Sequence, residues 1–578
     1  MNDDQHSVMA GGPIPADLAR AIASAQAHRE ALLALPRVVS VRGGYKFVDG
    51  RITSTAAVVV SVERKLERVP RAQRVPAVLD DGVPTDVRTA SPIERLAQVA
   101  AAQPGVAAAL DAVAAEPFLI DEVQTPPADG PAVEFVPVIT YQPPAGANLD
   151  PVTGAMTIRC HVAPEGSWRV LRPFLAATQN ELVLGMYDFT APHIYRTARS
   201  VLLGSQVTWR QTLGPRESLP APGDVDSNKA EDLHEADIVT GLGTAAPNRF
   251  ESVFADVGNG RTFASAYHIK VAVRDRKAVW LSSGNWQSSN VPAIDFYGDD
   301  ADRRLLARYN REWNVVIEHP PLARKFRRYL EGDFETASNA APADAIDVAL
   351  PDLLLESDPA LAAETAAVEL KAFRSREFVF DSNDPLTIQP ILTPDNYLQV
   401  VVDLLRQRPN KRLYFQNQSL NPGKTPSAAW AELVQLLAGY SRDPALDVRI
   451  IIRNIGDIRK TLESIKVAGF DMNRVKVQVD CHTKGIVIDS STVLLGSHNW
   501  TDQGVQVNRD ASLLIRRPEI ARYYERVFLH DWERLARFKI NENAMPVPVP
   551  APGGVGPADA VEAAPGARRI PWSQWLPE

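Results

Sequence analysis

The stretch HIKVAVRD at 268–275 returns in the second half of the chain as HTKGIVID at 482–489. Each copy has a His, a Lys two positions later and an Asp five positions beyond the Lys. After six intervening residues, SSGNW at 282–286 matches GSHNW at 496–500. Two imidazoles, two ammonium groups and two carboxamides, once brought together, suit attack on a phosphodiester and binding of its oxygens.

The similarity between the two halves extends well beyond these motifs. MTIRCHVAPEGSW at 156–168 resembles LTIQPILTPDNYL at 386–398, and NREWNVVI at 310–317 resembles NRDASLLI at 508–515. The order of the matching segments is the same in both halves, which predicts an internal duplication packed as one pseudo-twofold unit. Within each half, strand-like and helix-like segments alternate. This alternation predicts an α/β fold with a mixed or parallel sheet and helices on both faces.

The first copy is longer than the second in two places. The extra residues lie in GPRESLPAPGDVDSNKAEDLHEADIVTGLG at 214–243 and in QSSNVPAIDFYGDDADRRLLARY at 287–309. Both segments are rich in Gly, Pro, Asp and Ser, so we expect loops near the catalytic strand rather than core.

Composition changes divide the chain into six regions. We expect a disordered start at 1–15, a small α/β accessory domain at 16–132 with a turn at Asp49-Gly50, and a Pro/Gly/Ala-rich disordered tail at 541–578. Between them we expect the first half at 133–335, a linker at 336–374 that is Ala-rich and acidic, and the second half at 375–540.

The overall composition is that of an ordinary globular protein, with 45% apolar and 23% charged residues among 578. No apolar stretch approaches the length of a membrane span, and the acidic start has no apolar segment typical of a signal peptide, so we expect a cytoplasmic protein. The net charge of −8 gives no general attraction for a polyanion. Cys160 and Cys481 are expected to be free thiols, with a single disulfide between them left open.

The paired HxK(x)4D motifs, each followed by a small residue pair and Asn, resemble the signature of the phospholipase D superfamily. Its members include phospholipases, cardiolipin synthases, endonucleases and transferases. The resemblance covers roughly residues 135–540, and Ser282 stands where a Gly is usual. It implies two phospholipase D-like α/β/α sandwich halves related by a pseudo-twofold axis, with the accessory domain added at the front.

The resemblance also implies a mechanism. One His attacks phosphorus and forms a covalent phosphohistidine, while the other protonates the departing oxygen and then activates water or an alcohol. By analogy with the family, His268 is assigned as the nucleophile and His482 as the general acid and base. The sequence alone leaves the reverse assignment open, because both imidazoles suit either task near neutral pH.

The other motif residues have expected roles that follow from their chemistry. Lys270 and Lys484 neutralise the phosphate oxygens, and Asn285 and Asn499 donate hydrogen bonds to them. These groups complete the electrostatics of the reaction, so we expect no metal and no other cofactor.

Carboxylates are expected in two different roles. Glu312 and Asp510, at matching positions in NRE and NRD, are expected to orient the imidazoles, as an acid at that position does in the resembling family. Asp275 and Asp489, although they belong to the motif, are expected to hold the surrounding structure. At the rim of the phosphate site we expect two hydroxyls, those of Ser283 and Ser497.

We therefore expect a phospholipase D-like phosphodiesterase that cleaves or transfers a phosphodiester. An endonuclease of the same superfamily is the alternative, and a catalytically inert binding scaffold is the third reading. The expected partner is a phosphodiester substrate, either phospholipid or nucleic acid, and peripheral contact with a membrane is compatible with the former. Because both motifs lie in one chain, a monomer can be catalytically complete.

Overall fold

The computed structural model describes most of the chain in several ranges. These are residues 14–95 except 67 and 93, 140–214, 232–340 except 259 and 299–300, 352–355, 370–540 except 424–425 and 455–456, 547–549 and 568–570. The expected disordered start, the end of the expected accessory domain and most of the expected linker and tail lie outside these residues.

The accessory domain is a helix followed by a three-stranded sheet. Its elements are α1 (Ala16–Leu33), β1 (Val38–Val48), β2 (Arg51–Val62) and β3 (Thr85–Thr89). The predicted turn between β1 and β2 is present, with positive φ angles of 49° at Asp49 and 73° at Gly50. Positive φ at both central residues is the geometry of a two-residue hairpin turn that matches the twist of the strands.

The first half of the duplication begins with two neighbouring strands and ends with a long helix. Its strands are β4 (Val152–Gly154), β5 (Met156–Ala163), β6 (Glu181–Met186), β7 (Thr208–Leu213), β8 (Phe250–Phe254), β9 (Lys270–Arg274), β10 (Ala278–Ser282) and β11 (Glu312–Glu318). Its helices are α2 (Ser167–Ala176), α3 (Pro192–Gly204), α4 (Glu235–Ala245) and α5 (Pro320–Asn339).

The second half repeats this succession of elements. After β12 (Asp352–Leu355), its strands are β13 (Arg376–Phe380), β14 (Leu386–Leu392), β15 (Arg412–Asn417), β16 (Asp447–Arg453), β17 (Val475–Gln478), β18 (Lys484–Ile488), β19 (Thr492–Gly496) and β20 (Ala511–Arg516). Its helices are α6 (Tyr397–Arg406), α7 (Ala428–Arg442), α8 (Ile458–Val467), α9 (Asp502–Gln506) and α10 (Pro518–Arg534). Two short strands from the tail, β21 (Val547–Val549) and β22 (Arg568–Ile570), flank β12 in a small sheet.

The two large sheets have the same strand order, which confirms the predicted fold class and duplication. Seven strands run β5-β11-β10-β9-β6-β7-β8 in one sheet and β14-β20-β19-β18-β15-β16-β17 in the other. Both sheets are mixed. In the first, β6, β7 and β8 pair in parallel and β9, β10 and β11 pair antiparallel, and in the second β15, β16 and β17 pair in parallel and β18, β19 and β20 pair antiparallel. Helix α5 packs on one face of the first sheet, and helices α2 to α4 share an apolar cluster on the other. None of the helices described is long and apolar enough to cross a bilayer.

The prediction of a loop at 214–243 is wrong in part. Residues 235–245 form helix α4, which occupies the same place in the first half as α8 in the second. The reason is visible in the packing, because Ile238 and Leu242, four residues apart, are fully buried in the apolar cluster beside Trp209. The other segment, 287–309, is irregular apart from a short 3-10 turn at Arg303–Arg308.

The halves exchange their edge strands. Strand β4 precedes β5 in sequence but pairs with β14 in the sheet of the second half. Strand β13 precedes β14 but pairs with β5 in the sheet of the first half. Each eight-stranded sheet therefore contains one strand from the other half, which ties the two halves together through backbone hydrogen bonds.

The inner faces of the two sheets share one apolar core. Trp313 of β11 lies directly over Gly485 of β18, where any Cβ atom would overlap with its ring. The Tyr524 hydroxyl of α10 donates to the Asn314 carbonyl of β11 at 2.7 Å. These contacts fix the position of β11 against β18, the strands on which the residues of the predicted site lie.

The accessory domain is attached to the second half by buried ion pairs. Arg88, only 1% exposed, lies 2.7 Å from Glu94 of its own domain and 3.3 Å from Asp457 at the start of α8. Arg459 of α8 lies 2.8 Å from Asp86 of β3. Because breaking one member of a buried ionic group leaves the other charges uncompensated, this interface is held strongly in one arrangement.

Candidate active site

Each motif histidine is held through its backbone by the opposite half of the chain. The His268 N–H donates to the Arg509 carbonyl at 2.8 Å, and the Arg509 N–H donates back to the carbonyl two residues before His268, also at 2.8 Å. In the same way, the His482 N–H donates to the Arg311 carbonyl at 3.0 Å, and the Arg311 N–H donates to the carbonyl of Asp480 at 2.7 Å. Both motifs therefore lie at the interface between the halves.

The imidazole rings are paired with carboxylates in a crossed pattern. Nδ1 of His268 lies 2.8 Å from Oδ1 of Asp510, and Nδ1 of His482 lies 3.1 Å from Oε1 of Glu312. All four side chains are buried. Sequence comparison of the halves identified the two acids but did not reveal that each contacts the histidine of the other half.

The electrostatic surroundings keep Asp510 ionised. Burial works to raise the pKa of this carboxyl, but the interactions with His268, His498 and Lys270 outweigh it and lower the pKa below its usual value. The Ser497 hydroxyl donates to the same carboxylate at 2.5 Å. Ser497 therefore positions the acid in this structure, and its expected place at the phosphate rim stays a prediction.

The two motif lysines are buried close to the histidines. Lys270 Nζ donates to the His268 carbonyl at 2.8 Å. Lys484 Nζ donates to the Ser283 carbonyl of the other half at 3.1 Å and lies 3.3 Å from both ring nitrogens of His482. A buried ammonium group in a low-dielectric interior interacts strongly with an anion that reaches it.

The residues after β10 and β19 bring the carboxamides to the site. Asn285 and Asn499 are both fully buried. Asn285 Nδ2 donates to Oδ2 of Asp188 at 3.2 Å. The residue before Asn285 is Gly284, and a larger residue would not fit there, because the Glu312 carboxylate occupies the space where a Cβ atom would lie. The Ser283 hydroxyl accepts from the Trp313 N–H at 3.2 Å, so it also serves the framework here.

The motif aspartates lie in the turns that follow β9 and β18, at the far end of each strand from the histidines. The Asp275 carboxylate accepts from the N–H groups of 179–181 at 2.7–3.2 Å, and the Asp489 carboxylate accepts from those of 410–412 at 2.7–3.0 Å. For Asp489, burial acts to raise the pKa, but the backbone donors outweigh it and lower the pKa. Both carboxylates thus fix the backbone at the entry to strands β6 and β15.

Sequence analysis missed the arginines that precede Glu312 and Asp510. Arg509 is fully buried and forms ion pairs at 2.9 Å with Asp333 of the first half and Asp395 of the second. Arg311 is 2% exposed and pairs at 2.7 Å with a carboxylate of its own half and at 3.0 Å with one of the other half, namely Glu165 and Asp531. The sequence contained a signal for these ion pairs, because every member recurs in both halves. Each arginine lies between an Asn and an acid, Glu165 and Asp395 each follow a Pro, and Asp333 and Asp531 occupy matching positions of α5 and α10.

The other histidine and cysteine side chains next to the site are structural. Burial lowers the pKa of His498 to about 3, so this imidazole stays neutral while it stacks on Tyr397 at 3.9 Å between ring centroids. Cys160 and Cys481 are free and buried, and burial raises the pKa of each thiol to about 12. A thiol with so high a pKa is a poor nucleophile near neutral pH.

Within the described residues, one group of three side chains is close enough to share a metal ion. It consists of His28, Asp80 and Asp81 on the surface of the accessory domain. Exposed acidic groups of this kind are common without a metal, and the group is not part of the histidine site.

One family model and several solved structures are similar to parts of the chain. A family model for the cardiolipin synthase, PLD-like domain, matches residues 430–532. No curated protein sequence matches the chain. Among solved structures, the chain is similar to phosphatidylserine synthase from Haemophilus influenzae Rd KW20 at 14% identity and a TM-score of 0.42, covering 66% of this chain and 88% of that one. It is similar to Nuc, a phospholipase D family member from Salmonella typhimurium, at 20% identity and a TM-score of 0.21, covering 26% of this chain and 97% of that one.

The contact between Gly284 and Glu312 leads to a stability prediction. We expect Gly284→Ala to lower the free energy of unfolding by about 1–3 kcal/mol, because the new methyl group must displace a buried carboxylate. Chemical denaturation followed by circular dichroism measures this change. Gly439→Ala is the matched control, since no atom lies within 4 Å of its added Cβ. Helix α7 should gain about 0.5–1 kcal/mol from that substitution. Equal stability of the two variants would contradict the packing described.

Proposed function

The chain belongs to the phospholipase D superfamily, and on that premise we propose that it is an enzyme that cleaves or transfers a phosphodiester through a covalent phosphohistidine. The observation that carries the proposal is the crossed pairing of His268 with Asp510 and of His482 with Glu312. A carboxylate on Nδ1 fixes the tautomer of the ring and directs Nε2 to the reaction.

The surrounding groups supply what a phosphodiester requires. Its phosphorus is a poor electrophile shielded by a negative charge, so the non-bridging oxygens must be neutralised before attack. Lys270 and Lys484 provide two positive charges, and Asn285 and Asn499 provide hydrogen-bond donors. We propose that these four groups suffice and that the reaction needs no metal ion.

The proposed reaction has two steps. First, Nε2 of His268 forms a bond to phosphorus, the bond from phosphorus to the leaving oxygen breaks, and His482 gives that oxygen a proton. Second, His482 takes a proton from water or from an alcohol, whose oxygen bonds to phosphorus as the bond to His268 breaks. Water as the acceptor gives hydrolysis, and an alcohol gives transfer. Both steps benefit from the deep burial of the histidines and lysines, which excludes bulk water.

We propose a phospholipid-type phosphodiester as the substrate, with nucleic acid as the alternative. A nuclease would need unpaired basic residues along a groove. Arg327, in the basic segment of α5, is already paired, because it lies 2.8 Å from Glu181 and 2.7 Å from Glu331. With the net charge of −8, this pairing favours a substrate that is not a long polyanion.

The assignment of the two histidines predicts different kinetics for their variants. With bis(p-nitrophenyl) phosphate, whose leaving group needs little protonation, we expect His482→Ala to release about one equivalent of p-nitrophenolate per site and then stop. His268→Ala should release none, because the nucleophile is missing. Stopped-flow absorbance measures the burst, and acid-labile, base-stable phosphate on the protein identifies the intermediate.

The opposite pattern, with a burst in His268→Ala and none in His482→Ala, would reverse the two roles. Full steady-state turnover in either variant would contradict a shared site.

The crossed pairing predicts that each acid affects the step of the histidine it contacts. Asp510→Asn should slow the burst by about a thousandfold or more, because the imidazole of His268 loses its charged partner. Glu312→Gln should act mainly on the second step. Rapid-quench measurement of both steps separates the effects. Asp384→Asn is the control, since this carboxyl is exposed on the surface and should keep both rates. An effect of Asp510→Asn on the second step alone would refute the assignment.

A substrate panel distinguishes the three functional readings. In the presence of EDTA, we expect the protein to release the head group from phosphatidylcholine or phosphatidylglycerol vesicles and to leave single-stranded and duplex DNA intact. Thin-layer chromatography and gel electrophoresis measure the products, and His268→Ala serves as the inactive control. Cleavage of DNA alone would favour the endonuclease, and turnover of neither would favour an inert scaffold. Activity that disappears with EDTA would contradict the absence of a metal requirement.

A further inference from the structure

The two halves differ in the residues that directly follow β6 and β15. The first half has Tyr187 and Asp188 at this place, and the second half has Gln418 and Ser419. Where the first half has an aromatic ring and a carboxylate, the second half therefore has a carboxamide and a hydroxyl. These positions break the symmetry of a framework that is otherwise closely repeated.

Backbone contacts establish that these positions correspond. Phe189, two residues after Tyr187, forms a parallel bridge with Trp286, and Leu420, two residues after Gln418, forms the same bridge with Trp500. The next N–H group in each half donates to the carbonyl of that tryptophan, at 3.0 Å in the first half and 2.9 Å in the second. The pseudo-twofold relation therefore applies to both segments.

In the first half, both positions face the catalytic groups. The Tyr187 ring lies edge-on to His268, with centroids 5.3 Å apart, and the Lys270 ammonium lies 5.2 Å from the same ring centroid. Asp188 accepts from the Asn285 carboxamide at 3.2 Å. By the correspondence of the halves, we expect the second-half residues to lie on the side of His482, Lys484 and Asn499.

The second-half residues are held at the site with unused hydrogen-bonding groups. The Gln418 N–H donates to the carbonyl of Thr483, next to His482, at 2.9 Å. Gln418 is 2% and Ser419 7% exposed. Nevertheless, neither Oε1 of Gln418 nor Oγ of Ser419 has a hydrogen-bond partner among the residues that the structure describes. Buried polar atoms without partners are costly and rare, and a ligand group is one reason to keep them.

We infer that Gln418 and Ser419 form a subsite for the hydroxyl groups of the alcohol that leaves, or is added to, phosphorus. This inference rests on the proposed function, because it places the alcohol beside His482, the proposed general acid and base. The Gln418 oxygen requires a donor, and the Ser419 hydroxyl can donate or accept. A hydroxylated alcohol such as glycerol meets both demands, whereas a purely apolar alcohol leaves both atoms unpaired.

The partition of the phosphohistidine between two alcohols tests the subsite. The intermediate is formed from bis(p-nitrophenyl) phosphate, and glycerol or 1-propanol is added at equal concentration. The alcohol oxygen bonds to phosphorus, the bond to His268 breaks, and the hydroxyl proton passes to His482. We expect the wild-type protein to prefer glycerol by about tenfold, and Gln418→Met combined with Ser419→Ala to bring the ratio close to one. Phosphorus NMR of the two diester products measures the ratio.

The control and the contrary outcomes are distinct. Gln407→Met, which alters an exposed side chain at the end of α6, should keep the wild-type ratio. An unchanged ratio in the double variant, equal capture of both alcohols by the wild type, or capture of neither would overturn the inference while p-nitrophenolate release still supports the proposed function. If the wild-type protein releases no p-nitrophenolate, the proposed function fails and the subsite fails with it.

Discussion

The site depends on two Arg-acid dipeptides, one in each half. Each dipeptide contacts the motif histidine of the other half. Arg509 and Asp510 hold the backbone and the ring of His268, and Arg311 and Glu312 do the same for His482. The arginine is fixed by buried carboxylates from both halves. Since a buried guanidinium is tolerated only with its partners in place, the relative position of the halves and the orientation of the rings are set by the same interactions.

The same arrangement explains why so many charged groups are buried at this interface. The ionised forms of two lysines, two arginines and six carboxylates would each be unfavourable alone in a low-dielectric interior. Arg311 and Arg509 each lie within 3.0 Å of two carboxylates, and Asp510 and Glu312 each lie beside a histidine. A framework of fixed charges does not have to reorganise when negative charge arrives on a substrate, which is the condition for strong electrostatic stabilisation.

Much of the fold could be predicted because the duplication places the same sequence patterns in both halves. The fold class and the duplication follow from comparing one half with the other, and the same comparison selected the acids Glu312 and Asp510 as site residues. Their crossed pairing and the exchange of β4 and β13 could not be predicted, because local periodicity contains no information about which half a segment contacts. Helix α4 was missed for a related reason. Its sequence is rich in small residues, and its helical form depends on burying Ile238 and Leu242 in a tertiary cluster.

The repeated framework also shows where symmetry can be lost. A residue that packs between the halves, such as Trp313 over Gly485, is restrained by its neighbours and resists change. A residue that faces the substrate is restrained only by the substrate, and a phosphodiester presents two different groups to two similar halves. Tyr187 on one side and Gln418 on the other occupy such positions. The different tasks proposed for the two histidines are therefore better explained by the residues beside them than by the imidazoles, each of which has a carboxylate beside Nδ1 and a lysine two positions later in the chain.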